Sequence, residues 1–152
     1  MQIHYFQNFR RFASTKRNSF MKIYLAGPLF TLAEIDFNLK LASKLVNKGF
    51  EVFLPQQECQ GKDLNEIFTI CVSGLDSCDV ILANVDGSDA DSGTSWECGY
   101  AYAKNIPVVI YRTDIRVSGD MKGFNAMIYF AAKHIIEGSE NYFDKIVKAL
   151  EN

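Results

Sequence analysis

The sequence predicts an α/β protein built on one doubly wound, parallel, five-stranded sheet. Three observations lead there. From Met21 onward, short apolar runs alternate with segments of helical periodicity, the signature of β-α-β units. Gly or Pro punctuates several of the junctions between them. The run at 79–84 is apolar at its four central positions, Val80–Ala83, as a strand covered on both faces must be.

The elements follow in order. Lys22–Ala26 reads as a first strand, ended by Gly27-Pro28. Thr31 and Glu34 form a capping-box pattern that opens a helix to about Lys48, where Gly49 closes it. Ile35, Leu39, Ala42, Leu45 and Val46 keep helical spacing along it. Phe50–Leu54 is the second strand, stopped by Pro55. A polar loop containing Gly61 precedes a helix over about Leu64–Ser77. Asp79–Asn84 is the third strand; an acidic loop and a helix to about Lys104 follow. Ile106–Tyr111 is the fourth strand. A loop over Arg112–Gly123 leads to a short helix near Asn125–Ala131, and Lys133–Ile136 is the fifth strand. Ser139 is expected to cap a terminal helix to Leu150. This alternation implies a flavodoxin-like or Rossmann-like sheet of order 2-1-3-4-5, with ligands beyond the carboxyl ends of the strands. The loops after strands one, three and four then share one edge.

Length and charge narrow the function classes. Residues 21–152 suffice for one domain with its own core. The net charge of −2 gives no pull toward nucleic acid or an anionic membrane. No apolar run approaches the roughly 20 residues of a spanning helix. Cys59, Cys71, Cys78 and Cys98 lack C-x-x-C spacing and read as free thiols in a reducing, cytoplasmic compartment. His4 and His134 are far apart in sequence, which argues against a protein-built metal site. Neither the dinucleotide nor the P-loop glycine pattern occurs, so no cofactor is expected. Residues 1–20 carry Arg10, Arg11, Lys16 and Arg17 and no acid. They are expected to be an N-terminal extension outside the core, disordered or a non-native start upstream of Met21; a transit peptide is the alternative.

The most informative stretch runs from Asp86 to Ala101. It holds Asp86, Asp89, Asp91 and Glu97 within twelve residues, where a connecting turn needs about one Asp and one Gly. Such surplus acid suits sugar hydroxyls or a developing positive charge. On a helix, Glu97 has Gly93 and Ala101 at i−4 and i+4, so its face has room for a ligand. The helix dipole is expected to favour the ionised, nucleophilic form of Glu97. Trp96 and Tyr100 share an adjacent face suited to walling a pocket. Asp91 fits an N-cap as well as a ligand contact. Tyr24, mid-strand, must place its hydroxyl somewhere.

Taken together, Ile23-Tyr-Leu-Ala-Gly-Pro-Leu-Phe30, Gly74-Leu-Asp-Ser-Cys-Asp79, Asp89-Ala-Asp-Ser-Gly-Thr-Ser-Trp-Glu-Cys-Gly-Tyr-Ala-Tyr-Ala103 and Phe124-Asn-Ala-Met-Ile128 resemble the nucleoside 2-deoxyribosyltransferases. The resemblance implies that Glu97 attacks C1′ of a 2′-deoxynucleoside, that Tyr24 orients Glu97, and that Asp91 holds a sugar hydroxyl. It places Gly27, Pro28, Phe30, Cys71 and Gly93 around the substrate. It implies that Asn125 binds a 5′-hydroxyl across a subunit boundary and that Met127 lines the pocket, so a homodimer or larger homo-oligomer is expected. The partners it implies are a deoxynucleoside and a free nucleobase. The chain departs from the family at Cys71, where many members carry Asp or Asn against the base. A thiol is a weak hydrogen-bonding group there. The competing readings are a deoxynucleoside 5′-monophosphate N-glycosidase on the same fold and a non-catalytic nucleotide-sensing module. Pro28-Leu29-Phe30 and Asn125 offer little to a phosphate dianion.

Overall fold

Strand burial decides the architecture. In the computed structural model, which describes residues 20–117 and 121–152, β1 (Lys22–Ala26), β3 (Val80–Asn84) and β4 (Val108–Arg112) lie centrally, and β3 and β4 are buried at every position. β2 (Glu51–Phe53) and β5 (His134–Glu137) are the less buried edges. The sheet is wholly parallel, in the order β2-β1-β3-β4-β5, as expected.

Six helices cover its two faces: α1 (Leu32–Asn47), α2 (Pro55–Glu58), α3 (Leu64–Asp76), α4 (Ser92–Ala103), α5 (Ala126–Ala131) and α6 (Tyr142–Leu150). The two-residue period of the strands splits the core. Ile23, Leu25 and Leu82 join Leu41 and Leu45 of α1 and Ile146 and Leu150 of α6. Tyr24, Ala26, Ile81 and Ala83 join Leu75 of α3, Cys98 and Ala101 of α4, and Ile128 of α5 on the other side. The second layer carries the site.

The capping box at Thr31 and Glu34 forms as expected. Two local expectations fail. Residues 55–58 form a helical turn rather than open loop, because Pro55 takes the first helical position, where its missing N–H costs nothing. The terminal helix starts after Asn141, in a left-handed conformation (φ 53°), and Ser139 does not cap it. Asn tolerates that conformation better than most residues, and it makes no side-chain cap here. The extension expected over residues 1–20 lies outside the described residues apart from Phe20.

Buried polar bonds set the loops of the carboxyl edge. Asp86 accepts from Thr113 N at 2.5 Å, Thr113 Oγ1 at 2.6 Å and Asp114 N at 2.8 Å, tying the loop after β3 to the loop after β4. Asn38 Nδ2 donates to Pro28 O at 2.9 Å and Gln56 Oε1 at 3.1 Å, and Gln56 Nε2 donates to Ile35 O at 3.0 Å. The turn after β1 is thereby held from α1 and α2. Gly27 permits it: a Cβ there would lie 3.0 Å from Asn84 Cβ on β3.

Loss of the Asp86 carboxylate removes three charge-assisted bonds at once. Asp86→Ala is expected to lower stability by about 2–3 kcal/mol, read from denaturant unfolding. A change within about 0.5 kcal/mol would show that the two loops hold without it.

Candidate active site between α3, α4 and β1

Three elements of the second layer converge above β1. Tyr24 is fully buried mid-strand. Its hydroxyl donates to Glu97 Oε1 at 2.5 Å, across 73 residues of sequence. The Tyr24 ring stacks on Phe53 of β2, with centroids 5.0 Å apart. Behind Phe53, Gly74 of α3 leaves the space the ring occupies: a Cβ there would come within 2.5 Å of it. The Gly74 of the motif is therefore a packing requirement one step behind the Tyr24 hydroxyl.

Glu97 is partly buried, and its carboxyl is pushed up to about 7, chiefly by desolvation. The Tyr24 hydrogen bond opposes this rise and the negative charge of Asp91 adds to it. The expectation of a carboxylate held ionised by the helix dipole is thus revised. Glu97 sits beyond the first turn of α4, where the dipole has faded, and burial dominates. The Tyr24 hydroxyl is driven far above its ordinary range by burial and by Glu97, so it stays protonated and serves as a donor.

Asp91 is the N-cap of α4: Oδ2 accepts from Thr94 N at 3.0 Å and Thr94 Oγ1 at 3.3 Å. Gly93 lies one turn before Glu97 on α4, and a Cβ there would come 3.1 Å from Asp91 Oδ2. Asp89 serves its own turn, accepting from Ala90 N. Cys71, on α3, touches the Tyr24 hydroxyl and lies 3.7 Å from Cys59 Sγ. Gly27 and Pro28 form the turn after β1; Phe30 is three-quarters exposed.

Trp96 and Tyr100 stack on each other at 5.3 Å, and Trp96 meets Phe68 of α3 at 5.8 Å, so they bridge the two helices. Asn125 and Met127 lie elsewhere. Asn125 caps α5 through Oδ1, which accepts from Met127 N at 3.0 Å. Met127 lines a cleft of about 290 Å³ between α4 and α5 with Ser95, Cys98, Gly99, Tyr102 and Phe130. Those α4 residues occupy a different flank of the helix from Glu97. Within one chain, then, Tyr24, Cys71, Asp91, Gly93 and Glu97 assemble, while Met127 faces another cleft. Sequence reasoning missed Phe53, Cys59, Asn38 and Gln56. Their roles depend on tertiary contacts, and no local spacing signals them.

The fold and this carboxylate–phenol pair define an α/β protein with a desolvated carboxyl group at the carboxyl edge of a flavodoxin-like sheet. The sequence model of the nucleoside 2-deoxyribosyltransferase family matches residues 23–142, and the chain belongs to that family. An uncharacterized protein of Ureaplasma parvum serovar 3 is 32% identical over 118 residues, covering 64% of this chain and 73% of that protein. A conserved protein from Enterococcus faecalis V583 superposes with TM-score 0.71 at 26% identity, over 86% of this chain and 99% of that one. The 2-deoxyribosyltransferase of Leishmania mexicana shares the fold with TM-score 0.69 at 21% identity, over 84% and 97% of the two chains. That of Bacillus psychrosaccharolyticus does so with TM-score 0.67 at 23%, over 82% and 89%.

Two tests follow from this geometry. The folded-state Glu97 pKa lies above its unfolded value of 4.5, so folding favours the protonated form and stability falls as pH rises from 4.5 through about 7. Glu97→Gln is therefore expected to raise stability at pH about 8 by on the order of 2 kcal/mol, with the gain vanishing near pH 4. Equal stability of the two proteins across that range would mean Glu97 is solvated. Gly74→Ala is expected to push Phe53 into Tyr24, costing about 1–3 kcal/mol. Adding Phe53→Leu should recover part of that loss; no recovery would place the damage elsewhere.

Proposed function

We propose that the protein transfers the 2-deoxyribosyl group of a 2′-deoxynucleoside to a free purine or pyrimidine base, in nucleoside salvage. The observation that carries this reading is the 2.5 Å bond from the buried Tyr24 hydroxyl to Glu97, inside the family-matching segment. Ionised Glu97 attacks C1′. The C1′–N bond breaks, its electron pair stays on the departing base, and that base takes up a proton. Tyr24 fixes one carboxylate oxygen and leaves the other for the new ester bond. Asp91 caps α4 through Oδ2 and holds a sugar hydroxyl through Oδ1. The positive character that develops at C1′ is stabilised by the neighbouring carboxylates. A second base then attacks C1′ from the vacated face and releases its N–H proton to water, replacing the one the first base took up; the ester bond breaks, and its electrons return to Glu97. Two inversions retain configuration. The raised pKa sets the working range: the rate is expected to rise with pH through about 7, as the nucleophile ionises.

The enzyme acts as a homodimer or larger homo-oligomer in the cytoplasm. Met127 and Phe130 are 82% and 74% exposed at the α4–α5 cleft, an apolar surface that a second copy would cover. Docking there carries Asn125 of one copy toward the substrate of the other.

Incubation with deoxyinosine, with and without adenine, tests the assignment. Deoxyadenosine formed only when adenine is present is the expected result, with Glu97→Ala slower by at least about a thousandfold. Hypoxanthine released equally with or without adenine would replace transfer by hydrolysis. No turnover of any deoxynucleoside would leave a binding module.

A further inference from the structure

Cys59 and Cys71 are separated by eleven residues and lie on different helices, yet their sulfurs are 3.7 Å apart. Cys59 caps the end of α2, the turn that Pro55 starts; Cys71 lies within α3. Both are half-buried, whereas Cys78 and Cys98 are buried. The contact continues into the catalytic pair. Tyr24 has one hydroxyl proton, and it goes to Glu97. Cys71 lies beside that hydroxyl and helps keep it protonated. The two sulfurs are within hydrogen-bonding reach of each other, and either can donate. Cys59 itself lies behind Cys71 and touches neither Tyr24 nor Glu97 through a hydrogen bond.

We propose that Cys59 and Cys71 form a reversible disulfide that switches off the site, a redox modification point built into its wall. The inference rests on the transfer reading for its functional half only. A peroxide supplies the oxidant. One cysteine attacks the peroxide as thiolate; the O–O bond breaks, leaving a sulfenic acid and one water. The second thiolate attacks the sulfenic sulfur, the S–OH bond breaks, and hydroxide leaves as the second water. Two electrons pass from the sulfurs to the peroxide, and both thiol protons end in water. A small dithiol reverses the step.

Two physical consequences follow. The disulfide needs the sulfurs to approach from 3.7 Å to about 2.05 Å, which draws Cys71 toward α2 and away from Tyr24. It also shifts the sulfur that lies beside the Tyr24 hydroxyl, so the wall behind the Tyr24–Glu97 pair is disturbed. The reaction is slow at neutral pH. Burial and the neighbouring Cys71 push the Cys59 thiol up to about 12, and Glu58 and Glu97 add to the rise, so little thiolate is present. Slow, selective oxidation distinguishes this pair from a peroxide-scavenging thiol.

The full-length protein is treated with hydrogen peroxide at pH about 8, then digested without reduction. A Cys59–Cys71 linked peptide is expected, with deoxyribosyl transfer down at least about tenfold and restored by dithiothreitol. Cys59→Ser should keep reduced-state transfer near wild type and lose the peroxide response. Absence of the linked peptide overturns the disulfide. A linked peptide with undiminished transfer overturns the switch, as does equal inactivation of Cys59→Ser. If the reduced enzyme shows no transfer at all, the proposed function and the switch fail together, and the peptide alone decides whether the bond forms.

Discussion

Everything at this site depends on keeping water from one carboxylate. Glu97 loses solvent on folding, and the loss raises its pKa to about 7. Such a group survives folding only if something specific holds it. The Tyr24 hydroxyl does so, from a strand buried in the middle of the sheet. Tyr24 is itself braced by Phe53, and Phe53 fits only because position 74 is glycine. The chemistry at the edge is therefore set by packing two layers deep, and the burial that makes Glu97 useful also makes it a burden on stability.

The same constraint explains the loops. A carboxyl group held in place from a buried strand needs turns around it that are held as well. Asp86 bonds the loop after β3 to the loop after β4, and Asn38 with Gln56 holds the turn after β1. Two of the four acids in the conspicuous stretch thus serve the backbone in plain ways: Asp86 as a tie between loops, Asp89 within its own turn. Asp91 does double duty, capping α4 while lying close enough to Glu97 to raise its pKa.

Much of this was legible in the sequence because it is periodic. Alternating apolar runs gave the five strands and their order, and the family motifs placed Glu97, Tyr24, Asp91 and Cys71 in one region. What escaped was whatever depends on neighbours distant in the chain. The first turn of α2 reads as polar loop because four residues are too few for a period. Ser139 looks like a cap until Asn141 takes that place with a left-handed backbone. The Cys59–Cys71 contact has no sequence spacing to betray it, since it forms between helices. The dipole argument for Glu97 failed because a sequence says where a residue sits on a helix but not how much solvent reaches it.

Helix α4 presents three chemistries at once. Thr94, Cys98 and Ala101 face the sheet, Glu97 faces Tyr24, and Ser95, Gly99 and Tyr102 face α5. Each residue turns the helix by about 100°. Its angular phase, set by the Asp91 cap, is thus an index for all three faces together. Gaining or losing a single residue between Asp91 and Glu97 would misaddress every one of them, whereas an insertion beyond Tyr102 would leave the index untouched. The count of residues from the cap is therefore as much a part of the site as the side chains it aims.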